Sequence, residues 1–208
     1  MQIDKLSEGV GCVEPNSLVQ WGSLFFFLSE DGFYLFDGQQ TMPIGVGSFD
    51  RWFLENSSRH YWNRMSAAIN PQRKLVCWAF CSADNATGIP DRILFYNWVA
   101  KKASYAVVDV EFILSAASLA ISIDDLTTTD IDTLTISFDD PFFLGGAGYF
   151  AGFNTDHTLG SFSGDALEGE METGSYALGN GRSSVEWFRP VTDATGAKVA
   201  GAASLFAD

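Results

Sequence analysis

The sequence predicts an all-β protein built from antiparallel, blade-like sheets, and three observations lead to that prediction. Aromatic residues make up 14% of the 208 residues, with 18 Phe among them. The chain also contains 20 Gly. Aromatic residues favour strands, whereas glycine favours the tight turns between strands. The third observation is a hairpin pattern that recurs at intervals of about 60 residues, close to the spacing of propeller repeats once loops are added.

Three hairpins carry the pattern. The first is predicted at 24–38, where the strands LFFFL and FYLF flank the turn SEDG. The second, at 74–98, joins KLVCWAF to RILFYNW through a polar loop at 82–91, and the third, at 148–162, joins GYFAGF to TLGSF through NTDH. A sheet with two apolar faces must stack on neighbours to bury both, as propeller blades do. We therefore expect the hairpins to form consecutive blades of a partial β-propeller.

One short helix interrupts the strand pattern. Phe49, Trp52 and Phe53 have the i, i+3, i+4 spacing of a helical face, and they precede a strand expected at about residue 67. The segment 109–134 fits either a short strand or a helix that ends in an acidic loop.

Two parts of the chain differ in character. Residues 1–163 contain the predicted blades, whereas residues 164–208 alternate polar and apolar side chains in ALEGEMETGSYALG and SSVEWFRPV. Such alternation is typical of half-exposed strands. The second part is therefore expected to be a C-terminal β-strand segment, either the start of a β-sandwich or a β-extension.

The charge balance is strongly acidic. The chain carries 26 acidic and 12 basic side chains, for a net charge of −14. No segment concentrates Lys or Arg as a phosphate-binding face requires, so sequence-specific nucleic-acid binding is not expected. Glu168, Glu170 and Glu172 alternate along one predicted strand, which places them on one face as an acidic stripe. Neither a secretory signal nor an apolar run of membrane-spanning length is recognisable, so no membrane association is expected.

Residues that could support catalysis or metal binding are scattered. His60 and His157 lack a second His or a Cys at ligand spacing, and Asp124, Asp125, Asp130 and Asp132 lack the spacing of a calcium loop. No nucleophile elbow or phosphate-binding loop occurs. The three cysteines, an odd number, are expected to be reduced thiols. We expect no catalytic residues, no metal and no cofactor.

An interface is predicted where Arg, Tyr and Trp cluster. Arg59, Tyr61 and Trp62 lie together in the sequence, and these residue types concentrate at the centres of protein–protein interfaces. Trp78, inside KLVCWAF, is expected in the core instead.

Several ordered motifs resemble one family. The runs LFFFLSEDGFYLFDG, PIGVGSFDRWFLEN, AAINPQRKLVCWAFCS and PDRILFYNW, followed by FSGDALEGEMETG and GRSSVEWFRPV, are similar to the packaged-DNA stabilisation, tail-hub or nozzle proteins of short-tailed bacteriophages. The resemblance implies a structural protein of the virion, made in the host cytoplasm. Its propeller subunits would form a ring, commonly hexameric, with portal, adaptor or other tail proteins as partners. The ring would form part of the tube that retains and releases the genome, with the acidic stripe facing the DNA.

The chain departs from that family in length. A closed ring of six or seven blades at about 40 to 50 residues each needs more than 208 residues. We therefore expect either that another chain contributes blades or that the fold is a partial propeller with fewer blades. The alternative function is a carbohydrate-binding or glycan-cleaving propeller, because Trp52, Trp62, Trp78 and Trp98 could stack on sugars.

Overall fold

The computed structural model describes residues 9–117, 148–162 and 169–170. Contacts divide the chain into two units, Met1–Ser163 and Gly164–Asp208. All elements below belong to the first unit. Gly169 and Glu170 are the described residues of the second, so the predicted C-terminal strands lie outside the described part of the chain.

Strands dominate the described residues, 44% of which are extended. They are β1 (Val19–Trp21), β2 (Leu24–Ser29), β3 (Gly32–Phe36), β4 (Thr41–Pro43), β5 (Ser66–Asn70), β6 (Leu75–Phe80), β7 (Arg92–Asn97), β8 (Lys102–Val107), β9 (Phe112–Ala117), β10 (Gly148–Phe153) and β11 (Leu159–Ser161). The helical elements are α1 (Asp50–Asn56) and two 3₁₀ helices, Pro15–Ser17 and Arg59–Arg64. Within these described ranges, no helix is long and apolar enough to cross a membrane.

The strands form three antiparallel sheets. Sheet 1 has the order β1-β2-β3-β4, sheet 2 has the order β5-β6-β7-β8, and in sheet 3 β10 lies between β9 and β11. The all-β prediction is confirmed. The three predicted hairpins are β2–β3, β6–β7 and β10–β11, and each falls in a different sheet. The described strands do not close into a propeller, but consecutive four-stranded meanders are compatible with blades.

The predicted helical turn is also confirmed. Phe49 immediately precedes α1, and both Phe49 and Phe53 are buried against Phe33, with ring centroids 5.6 and 4.8 Å from it. Helical spacing places residues 49 and 53 on one face, so one short helix covers the apolar face of sheet 1. The ambiguous segment 109–134 contains a strand, β9, and its residues from 118 onward lie outside the described ranges.

Aromatic side chains from sheets 1 and 2 share one core. Trp78 on β6 is fully buried, and its ring lies 4.4 Å from that of Phe33 on β3. Its indole N–H donates a hydrogen bond of 2.8 Å to the carbonyl of Ser17, which precedes β1. The prediction that Trp78 is a core residue is therefore confirmed. The bond also satisfies the one polar group that this side chain brings into the core.

Sheets 2 and 3 meet along their first strands, β5 and β9, without a backbone ladder. The hydroxyl of Ser66 on β5 accepts the N–H of Ile113 on β9 at 3.0 Å. The hydroxyl of Ser115 on β9 bonds both the N–H and the C=O of Ile69 on β5. Since β5 also lies against β1, the first strands of the three sheets are neighbours.

Candidate functional site

The predicted interface residues lie on the 3₁₀ helix between α1 and β5. Backbone bonds hold its two ends: the N–H of Ser58 donates to the carbonyl of Cys81, and the N–H of Met65 donates to the carbonyl of Trp62. This short helix joins sheet 1 to sheet 2. It therefore presents Arg59 and Tyr61 at a fixed position beside the loop between β6 and β7.

Trp62 is 5% exposed and belongs to the shared core. Its indole N–H donates to the hydroxyl of Ser57 at 3.2 Å, and its ring stacks on that of Phe53 at 6.0 Å. The guanidinium of Arg59 lies 5.0 Å from the centre of the indole ring, as a cation–π cover over its outer side. Arg59 is exposed, so a partner would meet Arg59 and not the indole.

Tyr61 packs on the β6–β7 loop. Its hydroxyl donates to the carbonyl of Ala86 at 3.4 Å. The backbone of Gly88 approaches its ring so closely that a Cβ atom at this position would lie 3.0 Å from the ring.

The β6–β7 loop is held in shape by its own side chains. Asp91 accepts bonds from the N–H and the hydroxyl of Ser82, both at 2.7 Å, and Asn85 accepts the N–H groups of Thr87 and Gly88. Arg59 and Tyr61 therefore flank a loop whose shape is fixed, and their role at an interface stays a prediction.

A cavity of about 270 Å³ adjoins this loop, lined by Arg64, Gly88, Ile89, Pro90 and Glu111. Glu111 also bonds the Nδ1 of His157 at 2.7 Å. A His–carboxylate pair can act as a general base when a nucleophile is bound to the other ring nitrogen. Among the described residues, no hydroxyl or thiol hydrogen-bonds to the Nε2 of His157, and the His157 side chain is 81% exposed. The described residues therefore give the His157–Glu111 pair no nucleophile to activate. What the pair does in the structure is connect the β10–β11 turn to the start of β9.

The buried thiols have raised pKa values. Burial raises the pKa of Cys77, and burial with the nearby Asp91 charge raises the pKa of Cys81 to about 11. A nucleophilic cysteine needs a lowered pKa and access to solvent. Cys77 and Cys81 have neither, because both are buried. In the described ranges no three His, Cys, Asp or Glu side chains gather as a metal site.

The predicted acidic stripe falls largely outside the described ranges. Glu170 is exposed, whereas Glu168 and Glu172 are not described. The aspartates at 124, 125, 130 and 132 also lie outside them. The NTDH turn is described, and there the side chain of Asn154 accepts the N–H groups of Asp156 and Thr158, as in a turn stabilised by its own asparagine.

The structure reveals a basic surface that the sequence analysis did not identify. Residues 71–74 and 98–102, here called the basic loop pair, contain Arg73, Lys74, Lys101 and Lys102, and all four are exposed. These are two separate basic dipeptides, so no single segment was rich in Lys and Arg. The position of the two dipeptides relative to the strands could have indicated this surface. One dipeptide precedes β6, and the other spans the start of β8. Because β6, β7 and β8 are antiparallel and consecutive, the starts of β6 and β8 lie at the same end of the sheet.

Comparison with known proteins assigns no family. Neither a family model nor a curated protein matches the chain.

Proposed function

We propose that the protein is a non-enzymatic structural component of a bacteriophage tail, of the hub, nozzle or head-to-tail completion type, that forms part of the genome-passage tube as a ring of subunits. The observation that carries this proposal is the arrangement of the sheets. Sheets 1 and 2 are consecutive four-stranded meanders, and the first strands β1, β5 and β9 lie side by side. Propeller blades are four-stranded meanders whose equivalent strands are neighbours around an axis.

The number of sheets favours assembly. Closed propellers contain about four to eight blades, and the described residues form three sheets. Closure therefore requires further residues of this chain or further subunits. The edge strand β8 has an exposed outer row with Tyr105 and Val107 at 54% and 70% exposure. An open edge with apolar side chains is typical of a surface that another strand or subunit covers.

Two observations on the described residues are compatible with the non-enzymatic part of the proposal. Two of the three thiols are buried with raised pKa values, and the His157–Glu111 pair lies on the surface. Of the four tryptophans named for the glycan-binding alternative, three lack an exposed ring face; Trp98 is partly buried against Phe26, and Trp21, which was not named, is 48% exposed. Trp62 and Trp78 are buried, and Trp52 is occupied by stacking on Tyr105 at 4.6 Å. Stacking platforms for sugars need exposed ring faces.

Immunogold labelling of particles from the virus that encodes the chain tests the proposal. An antibody against the purified protein should label the tail or the head–tail junction and leave the capsid faces unlabelled. Purified tails should contain the chain in several copies per particle by quantitative mass spectrometry. Absence of the chain from particles that infect normally would contradict the proposal. A change of tryptophan fluorescence with glycans, together with that absence, would favour the carbohydrate-binding alternative.

A further inference from the structure

Sheet 2 lies between the two other sheets, and both of its faces are covered. One face contributes Trp78 and Leu94 to the core that it shares with sheet 1. The other contributes Cys77 and Ile93 to a second cluster, which contains Ile113 of sheet 3. The three sheets are therefore stacked in chain order. Such a stack has two end faces, the outer face of sheet 1 and the outer face of sheet 3.

The outer face of sheet 3 is apolar and exposed. Ile113 and Phe150 pack toward sheet 2, and side chains alternate between the two faces of a strand. The outer face therefore comprises Phe112, Leu114 and Ala116 on β9, Tyr149, Ala151 and Phe153 on β10, and Leu159 and Ser161 on β11. Phe112, Tyr149 and Leu159 are 44%, 39% and 57% exposed. A solvated face of an antiparallel sheet normally carries polar side chains, so this face has the composition of a covered one.

The outer face of sheet 1 is also apolar. Phe33 lies in the core, so the alternate residues of β3 and their partners on β2 lie on the outer face. The rings there are those of Phe25 and Phe36, with centroids 6.0 Å apart, and of Phe27 and Tyr34, with centroids 6.1 Å apart. Phe25, Tyr34 and Phe36 are half-buried, and Phe27 is 8% exposed. These four rings form a second apolar end face.

Neither end face carries a charge. No residue of β1–β4 or of β9–β11 is charged, although 18% of the residues of the chain are. Sheet 2, which is covered on both faces, has charges only at Arg92 and Lys102, the first residues of β7 and β8. A charge buried between two sheets would be costly. The composition of the end faces therefore suits contact with another apolar sheet.

The size of the end faces decides between an open stack and a closed one. β9 and β10 have six residues each, so sheet 3 measures about 20 Å along its strands and about 14 Å across them. One contact between two such faces would bury about 600 Å², counting both sides, which is the size of a typical crystal contact. Two contacts would bury about 1,200 Å², the lower limit for stable complexes. Two copies make both contacts at once only if the stack closes.

We infer that the outer face of sheet 3 binds the outer face of sheet 1 of a second copy of this chain, and that two copies close into one ring through two such contacts. Within the chain each sheet packs on the next one, and the second copy continues that order. One chain supplies both uncovered faces, which is the reason to assign a second copy and not a different protein. Two copies together provide six sheets, within the four to eight blades of closed propellers. The inference rests on the proposed function for the propeller ring, and it names the surfaces that join the subunits.

Variants of the full-length chain place charges on the end faces. Tyr149→Lys/Leu159→Lys changes the outer face of sheet 3, and Phe36→Lys changes the outer face of sheet 1. Lysine reduces the net charge of the −14 chain, so weaker association cannot result from added repulsion. Val46→Lys/Val99→Lys is the matched control, because both valines are exposed, at 70% and 68%, and neither lies on an end face.

Sedimentation equilibrium provides the first measurement. The wild type and the control should have twice the chain mass of 22.7 kDa. Each end-face variant should associate at least about 100-fold more weakly, because the substitution weakens two contacts by about 10-fold each. Added salt should not weaken association of the wild type, since the contact is apolar and salt screens the repulsion between acidic chains. A wild type that is monomeric at every concentration, or end-face variants that dimerise as the wild type does, would overturn the inference.

Hydroxyl-radical labelling needs no substitution and keeps the inference testable if a variant fails to fold. Phe112, Tyr149 and Leu159 should be protected in the concentrated wild type and become labelled on dilution, whereas Val46 should be labelled equally throughout. Protection that does not change on dilution would show that the chain itself covers this face, and it would overturn the inference. Immunogold labelling of the tail decides the proposed function separately, because a monomer could still occupy the tail through another partner.

Discussion

The hydroxyl of Ser115 bonds both backbone groups of Ile69, accepting from the N–H at 2.7 Å and donating to the C=O at 2.9 Å. Ile69 lies on β5, the edge strand of sheet 2, and Ser115 lies on β9, an edge strand of sheet 3. Edge strands expose unpaired backbone groups that must be satisfied or covered. Together with the bond from the N–H of Ile113 to Ser66, Ser115 thus takes the place of a backbone ladder at this junction and allows two sheets to pack without merging.

Ser115→Ala should lower the free energy of unfolding by about 1 to 3 kcal/mol, because it leaves a partly buried N–H and C=O without partners. The measurement is urea unfolding followed by tryptophan fluorescence, with an unchanged m-value. Ser104→Ala is the control. Ser104 is an exposed serine on β8, so its replacement should change the stability by less than about 0.5 kcal/mol. Equal effects of the two substitutions would contradict a specific role for Ser115.

Periodicity and turn chemistry were sufficient to predict the hairpins and α1. The turns SEDG and NTDH contain residues that favour turns on their own. Phe49 and Phe53 have helical spacing and lie only 16 and 20 residues after Phe33, the strand residue that they cover. The short strand β4 was not predicted, because a three-residue strand carries no readable alternation. The serine links between β5 and β9 join residues 46 and 47 apart, and no local pattern in the sequence indicates such a contact.

The site was harder to predict than the fold. Arg59, Tyr61 and Trp62 were grouped by residue type, yet the structure buries the indole and exposes the guanidinium. Composition alone cannot tell which of three adjacent aromatic or basic residues faces inward. The basic loop pair was missed for a related reason: its two dipeptides become neighbours only through the register of β6, β7 and β8.

Asp50 should make the protein less stable as pH rises. Asp50 is 6% exposed, one of its carboxylate oxygens accepts the N–H of Phe33 at 3.0 Å, and the other has no hydrogen-bond partner among the described residues. Burial raises the pKa of Asp50, so the folded state binds a proton more tightly than the unfolded state does. The stabilisation is present below the usual aspartate pKa and is lost as pH rises through the raised value.

Asp50→Asn tests this linkage. The amide removes the buried charge and keeps an oxygen for the N–H of Phe33. The variant should be more stable than the wild type at pH 8 because it removes the cost of ionising a buried carboxyl, about 1.4 kcal/mol for each unit by which the folded-state pKa is raised, and the difference should shrink toward pH 3. Asp50→Ala should not reproduce the gain, because it leaves that N–H unpaired. A stability difference that is constant between pH 3 and pH 8 would show that ionisation of Asp50 is not involved.

The three thiols should react in two classes. Cys12 is exposed and should react with a chromogenic disulfide reagent in the native protein. Cys77 and Cys81 should react only as the protein unfolds, because both are buried and their pKa values are raised. One thiol per chain should therefore titrate rapidly at pH 8, and all three in denaturant. Cys12→Ser should abolish the rapid phase. A native protein that titrates three thiols at one rate would contradict the burial of β6.

The acidic stripe is predicted to face the DNA passage, where like charge would keep phosphates from adhering. Glu170 is exposed, and a ring of chains that each carry −14 superposes such charges around one axis. Changing Glu168, Glu170 and Glu172 to Lys should slow DNA ejection at low salt. Added salt should reduce the defect, because screening acts over about 8 Å at physiological ionic strength.

Glu30→Lys/Glu55→Lys/Asp156→Lys is the control for this prediction, because it makes the same change in charge at exposed positions elsewhere. If the stripe variant ejects DNA at the wild-type rate in low salt, or if the control slows ejection equally, these three glutamates do not line the channel.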